Sequence, residues 1–303
     1  MESMSYKFNE HEYLIKKILG KGKYGYTYTA VDNTNPEKPK NIAFKIFYKN
    51  SSNLSNKDSF NQEKDFLKEI ECDNSVKIYE CFDDNSAYYI AMELCDCNLK
   101  QLLEETKDGF EYNKIIEILK QLNTVLRKMH KLKHVHKDIK LENILVKYIN
   151  KKKNNFIVKL MDYELNDDIK KTLSSTLNNL SLSIAPELIE REKNKLDIGE
   201  KDNNNSNSFE KKSDLWSIGF IAYQLFFKKS PYNSGEEIDN NINIFEGSVK
   251  IYNYPYLKEL IEKCLIKNPK ERIEWKDYFN DPFFKVNDIK ENLECKNINF
   301  IFR

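Results

Sequence analysis

The hydrophobic period of this chain changes for good after Glu93, and that change limits the folds open to it. Ahead of Glu93 the apolar residues follow strand periods. Tyr26-Thr27-Tyr28-Thr29-Ala30-Val31 and Ile42-Ala43-Phe44-Lys45-Ile46-Phe47 are β-branched and aromatic, and a turn-rich stretch with two prolines, Asp32 to Lys40, separates them. Residues 13–48 therefore read as strands, and two more fall near 76–82 and 87–93. One helix interrupts them, where Phe60, Glu63, Phe66, Leu67 and Ile70 recur at three- and four-residue steps. After Glu93 the helical period takes over, at Leu99–Leu103, Tyr112–His130, Phe209–Phe227, Tyr256–Leu265 and Trp275–Phe279. Strands first and helices second predict an α+β fold with two lobes.

Composition narrows the partners. Lys and Arg number 49 against 48 Asp and Glu, a net charge of +1, which argues against a nucleic-acid binder. Apolar residues never run long enough to span a bilayer, and the N-terminus has no apolar signal region, so no membrane and a cytoplasmic place are expected, with the nucleus as an alternative. The six cysteines lack the paired spacing of a zinc site and read as reduced thiols. Two polar stretches stand out. Lys151 to Asn155 reads as a hairpin tip between short strands, and about 193–212, with its Asn-rich centre, as an insertion too polar to pack.

Two features carry chemistry. Leu19-Gly20-Lys21-Gly22-Lys23-Tyr24-Gly25 contains G-x-G-x-x-G but runs on into a strand, so it is a hairpin tip and not the strand-to-helix turn of a dinucleotide fold. Glycines there let backbone N–H groups approach phosphate oxygens. Lys45 then stands in an otherwise apolar strand, where an ammonium is costly without a partner. Glu63, on the inward face of the next helix, is the expected partner.

Farther along, His136-Lys137-Asp138-Ile139-Lys140-Leu141-Glu142-Asn143 resembles the H-R-D-x-K-x-x-N catalytic loop of eukaryotic protein kinases, and Met161-Asp162-Tyr163-Glu164 resembles their D-F-G segment. Ala185-Pro186-Glu187, Ser213-Asp214-Leu215-Trp216, Asn268-Pro269 with Arg272, and Asp281-Pro282-Phe283-Phe284 follow in the family's order. The resemblance covers about 13–284 and implies an N-lobe at 13–92, a hinge at 93–97 and a C-lobe at 98–284, flanked by an extension at 1–12 and a tail at 285–303. It implies a Ser/Thr protein kinase using ATP and Mg²⁺ on a protein substrate, either monomeric or meeting a regulatory partner transiently.

By the same resemblance, Asp138 orients the substrate hydroxyl and Lys140 steadies the γ-phosphate. Asn143 and Asp162 hold Mg²⁺, and Lys45, locked by Glu63, holds the inner phosphates. Gly20, Gly22 and Gly25 cover the nucleotide. Leu19, Thr27, Ala43 and Leu145 enclose the base, with Met92 as gatekeeper, Met161 beneath, and the backbone of Glu93 and Cys95 on its edge. An apolar stack is implied through Ile78, Leu67, Tyr163 and a structural His136, and a buried ion pair between Glu187 and Arg272.

Three positions depart from the pattern. Glu164 replaces the glycine of D-F-G, and Lys137 the arginine of H-R-D. Asn179-Leu180-Ser181-Leu182-Ser183 stands where G-T-P-x-Y is usual. Glu164 and the altered segment keep a second reading open, a nucleotide-binding pseudokinase that acts as a scaffold or allosteric regulator.

Overall fold

The computed structural model describes residues 5–8, 11–21, 25–49, 55–161, 182–191, 211–239 and 243–285. They group into two compact units, one of residues up to 102 with 124–161, the other of 103–123 with those from 182 onward.

The first unit is built on a six-stranded antiparallel sheet in the order β1-β2-β3-β4-β6-β5: β1 (Ser5–Phe8), β2 (His11–Lys21), β3 (Gly25–Asp32), β4 (Lys40–Tyr48), β5 (Ile78–Asp83) and β6 (Ala87–Glu93). The sheet takes in residues ahead of position 13, because β1 pairs with the start of β2 and Tyr6 lies against Phe44 and Tyr89. Strand β4 is apolar on both faces. Ile42, Phe44 and Ile46 join Tyr13, Phe82 and Tyr89 on one side, and Ala43 and Phe47 join Phe60, Val76, Ile90 and Met92 on the other. Lys45 shares the parity of Ala43 and Phe47, so its ammonium leaves on the face where α1 (Ser55–Glu69) packs.

Helix α1 starts at Ser55, ahead of the apolar repeat that begins at Phe60. Its first turn is polar and is held by Asn56, whose amide donates to Tyr48 O at 2.6 Å. A smaller sheet, β7 (Cys97–Asn98), β8 (Ile144–Asn150) and β9 (Asn155–Leu160), completes this unit with α2 (Leu99–Glu104) mostly in it. A 3-10 turn at Lys151–Lys153 forms the expected tip between β8 and β9.

The tight turn between β5 and β6 is organised by Asp84. Its carboxylate accepts from Ser86 N and Oγ at 2.7 Å, from Ala87 N at 2.9 Å and from the Tyr89 hydroxyl at 2.9 Å. Burial alone raises its pKa, but these Ser86, Tyr89 and Ala87 donors outweigh burial and bring it from 3.8 to about 2. A depressed carboxylate pKa stabilises the fold above the unfolded value, and the gain is lost as pH falls through the folded one. Asp84→Asn is therefore expected to cost about 1 kcal/mol at neutral pH. In denaturant titrations its difference from the parent should fade between pH 4 and pH 2, and a difference constant over that range would contradict this account.

The second unit contains most of α3 up to residue 123 (the helix spans Tyr112–Leu132), with α4 (Ser213–Phe227), α5 (Gly235–Asp239), α6 (Pro255–Cys264) and α7 (Trp275–Phe279). Helix α4 is buried nearly all round and packs on α6. It begins at Ser213, whereas the sequence suggested Phe209, which lies outside the described residues, and the two carbonyls just ahead of it meet side chains from farther along the chain. Lys211 O accepts from Trp275 Nε1 at 2.6 Å, and Lys212 O from Arg272 Nη1 at 2.9 Å. Lys211 and Lys212 end the stretch expected to be an unpacked insertion, yet Lys212 is buried and donates to Arg272 O. Residues 193–210 of that insertion, and 286–303 of the tail, lie outside the described residues.

The expected pair of Glu187 and Arg272 is present. Arg272 Nη1 and Nη2 meet the two carboxylate oxygens at 2.6 and 2.9 Å. The remaining N–H groups reach Ile266 O, Lys212 O and Lys267 O, so all five guanidinium donors are used in a side chain with no exposure.

Candidate active site

Every described residue expected in the site falls in the first unit. Lys45, opposite Thr27 on β3 and Ile90 on β6, sends its Nζ to both carboxylate oxygens of Glu63 at 2.7 Å. Both side chains are largely buried, and each meets the other's desolvation cost. The pair joins β4 to α1 and holds a positive centre at a fixed place on the sheet.

The loop at 136–143 is pinned at both ends. His136 is fully buried, and its Nε2 lies 3.0 Å from Met161 O, an atom that only accepts, so Nε2 carries the proton. Its ring also meets Phe66 edge-on at 6.2 Å. That is a structural histidine, as expected, though the α1 ring that meets it belongs to Phe66, beside the expected Leu67, which is itself buried. At the other end Met161 N–H donates to Asn143 O at 3.0 Å. Lys137 is held between these anchors with φ of +69°, a left-handed conformation that non-glycine residues adopt at a cost.

Within that loop three polar side chains converge. Asp138 Oδ2 receives Lys140 Nζ at 2.6 Å and Asn143 Nδ2 at 2.7 Å, and Asn143 Nδ2 also reaches Asp138 O at 2.9 Å. Both side-chain bonds fall on Oδ2, which turns Oδ1 into the oxygen that Asp138 can present to a hydroxyl. The amide nitrogen of Asn143 is engaged in the same way, so Oδ1 is the atom it can offer a cation. An amide or carboxylate oxygen suits a hard ion such as Mg²⁺. Asp162, Tyr163 and Glu164 lie outside the described residues, as do Gly22 and 179–181. Among the described residues no group of three or more His, Cys, Asp or Glu could hold a metal.

The residues expected around a base are partly assembled. Ala43 and Met92 are cross-strand partners within one apolar cluster, and Leu145 and Met161 pack against it. Thr27 lies opposite Gly20, and Leu19 stands 48% exposed at the end of β2, an apolar side chain with surface left to cover. Glu93 N–H donates to Lys77 O at 2.9 Å, and burial pushes the Cys95 thiol up to about 12, keeping it neutral.

The two described glycines of the loop differ in what they permit. A Cβ on Gly20 would meet nothing within 4 Å, so that glycine borders open space. A Cβ on Gly25 would lie 1.6 Å from Ile46 O, so Gly25 is required by the close approach of β3 to β4.

A model of the protein kinase domain matches residues 13–284. The chain belongs to the protein kinase family. It is 28% identical to calcium-dependent protein kinase 4 of Plasmodium falciparum over 94% of this chain and 52% of that protein. It is 26% identical to serine/threonine-protein kinase 33 of Bos taurus, over 91% of this chain and 56% of that one. Against an Aurora kinase of Dictyostelium discoideum the identity is 24%, over 92% and 67%. The chain thus spans about half the length of the first two relatives.

One residue near this candidate site was missed by sequence reasoning. Lys159 on β9 is buried and forms an ion pair with Glu93 at 2.9 Å. The signal was available, since a lysine inside Phe156-Ile157-Val158-Lys159-Leu160 is the same anomaly that singled out Lys45.

Proposed function

We propose that the chain is an ATP- and Mg²⁺-dependent Ser/Thr protein kinase that transfers the γ-phosphate of ATP to protein hydroxyls. The observation that carries this reading is the convergence of Lys140 and Asn143 on Asp138 Oδ2, which leaves neither of these bonds on the other carboxylate oxygen. In the mechanism Asp138 Oδ1 accepts a hydrogen bond from the attacking Ser or Thr hydroxyl and fixes its direction. Lys140, two residues on, carries positive charge to the γ-phosphate. Lys45, held by Glu63, fixes the inner phosphates, and Gly20, Gly22 and Gly25 cover the nucleotide. Asn143 Oδ1 and Asp162 are the groups that would hold Mg²⁺, which when bound neutralises the phosphate charge. Positioning and charge neutralisation supply most of the acceleration in this chemistry.

The base is enclosed by Leu19, Thr27, Ala43 and Leu145, with Met92 and Met161 closing the slot and the backbone of Glu93 and Cys95 reading its edge. We further propose the two-lobed arrangement, with the N-lobe at 13–92, the hinge at 93–97 and the C-lobe at 98–284. The balanced charge supports a protein substrate over nucleic acid; we place the chain in the cytoplasm, with the nucleus as the alternative, as a monomer or with a transient regulatory partner. Among the described residues no helix is long and apolar enough to cross a membrane. The serine/threonine kinase named among the relatives supports the choice of hydroxyl. The pseudokinase alternative rests on Glu164 and on the segment at 179–183, most of it outside the described residues. The test is transfer of labelled γ-phosphate from Mg·ATP to a protein hydroxyl by the purified chain.

A further inference from the structure

A buried lysine needs a reason, and Lys159 has three acceptors. Its Nζ lies 2.9 Å from Glu93 Oε2, 2.8 Å from Asp73 O and 3.3 Å from Ser75 O, one for each N–H of the ammonium. These partners belong to different segments. Glu93 ends β6 at the hinge strand, while Asp73 and Ser75 lie in the connection between α1, which carries Glu63, and β5. The same connection is bound to β9 again, by Asn74 Nδ2 to Val158 O at 2.9 Å and by Leu160 N to Asn74 O at 2.9 Å. Strand β9 itself runs into Met161, which is tied to His136 and Asn143.

The hinge strand is held from the second sheet at further points. Lys147 Nζ donates to Leu94 O at 2.6 Å, Asp96 N to Val146 O at 2.8 Å and Tyr148 N to Asp96 Oδ2 at 2.9 Å. Lys159 differs from these because it alone among them reaches both the hinge strand and the connection behind the Glu63 helix. We infer that Lys159 is a positioning residue for nucleotide: its ammonium fixes the backbone of Glu93–Cys95 and the end of α1 in one frame. The base edge and the Lys45–Glu63 pair then stand in register before nucleotide arrives. Preorganisation of this kind lowers the ordering cost of binding and shows in affinity. The inference rests on the proposed nucleotide site, and it concerns how that site is set.

The experiment compares wild type with Lys159→Met, Lys159→Arg and Glu93→Gln. ATP affinity is measured by calorimetry at a temperature where each variant is folded, and amide hydrogen exchange is measured without nucleotide. Lys159→Met should weaken ATP binding about tenfold and speed exchange at Leu94–Asp96 and at 70–76 about fivefold or more, because the carboxylate and both carbonyls lose their donor. Lys159→Arg keeps the charge but replaces a compact ammonium by a planar fork, so it should recover only part of the affinity that Lys159→Met loses. At saturating ATP, turnover by Lys159→Met should change less than its KM for ATP. Affinity within twofold of wild type, or unaltered exchange at the hinge, would reduce Lys159 to an ordinary structural ion pair even if the melting temperature fell. Should Lys159→Met fail to fold, the nearly isosteric Glu93→Gln decides by the same two readouts. Failure of wild type to bind ATP would remove the proposed function instead, and the exchange arm would still show whether Lys159 holds the hinge.

Discussion

Lys45→Met should lower phosphate transfer by roughly two to three orders of magnitude while the chain stays folded. Methionine keeps most of the volume of the stem, so the packing of Phe47 and Ala43 beside it survives. What disappears is the positive centre that Glu63 holds from two oxygens at 2.7 Å. The variant also leaves the Glu63 carboxylate, 9% exposed, without that partner, so some loss of stability accompanies the loss of rate. Adding Glu63→Gln separates the two effects. The double variant should recover melting temperature and should not recover transfer. Transfer within tenfold of the parent in Lys45→Met would remove Lys45 from the phosphate site.

The largest expected effect on stability is at Arg272. Replacement by methionine strands the Glu187 carboxylate and takes a donor from the carbonyls of Ile266 and Lys267, in a place where water does not reach the guanidinium, while Lys212 O keeps its bond from Leu215 N. Removing one partner of such a pair costs about 3–5 kcal/mol. Glu187→Gln should cost less, because an amide can still accept from the guanidinium and three carbonyls remain paired. The midpoint of urea unfolding reads both, and a loss under 1 kcal/mol for Arg272→Met would show that water or a neighbour replaces the lost donors. Phosphate transfer measured far below the midpoint should change less than stability does, since Arg272 touches none of the residues placed at the reacting groups.

Much of the site was legible because it consists of anomalies. A lysine in an apolar strand needs an acid, and the helix that follows offers Glu63 on its apolar face, so the pair could be named before any contact was seen. The same logic applied to Lys159 but had no partner to point to. Glu93 ends a strand, where a carboxylate looks solvated, and the other two acceptors are backbone carbonyls that leave no mark in a sequence. The start of α1 was hidden for a related reason. Its first turn is polar, with no apolar period, and is fixed by a side-chain bond from Asn56 to β4. Strand β1 is only four residues long, and it becomes recognisable through Tyr6 meeting Phe44 and Tyr89, which are distant in sequence. Gly25 was read as a phosphate-approach glycine, and the carbonyl of Ile46 adds a packing requirement for it that the motif does not show. The convergence of Lys140 and Asn143 on a single oxygen of Asp138 is a matter of rotamers, which spacing alone does not specify.

The most direct test of the account is incorporation of labelled phosphate from Mg·ATP, by the purified chain acting on itself or on a Ser/Thr protein substrate, beside Asp138→Asn. Asparagine keeps the shape of the carboxylate and an oxygen for Lys140 to reach, but it removes the charge that orients the attacking hydroxyl. The account predicts phosphoserine or phosphothreonine in the wild type, and incorporation lower by at least about two orders of magnitude in the variant, with ATP affinity retained. Equal incorporation by the two proteins, or ATP binding by the wild type with no transfer to any hydroxyl, would contradict it.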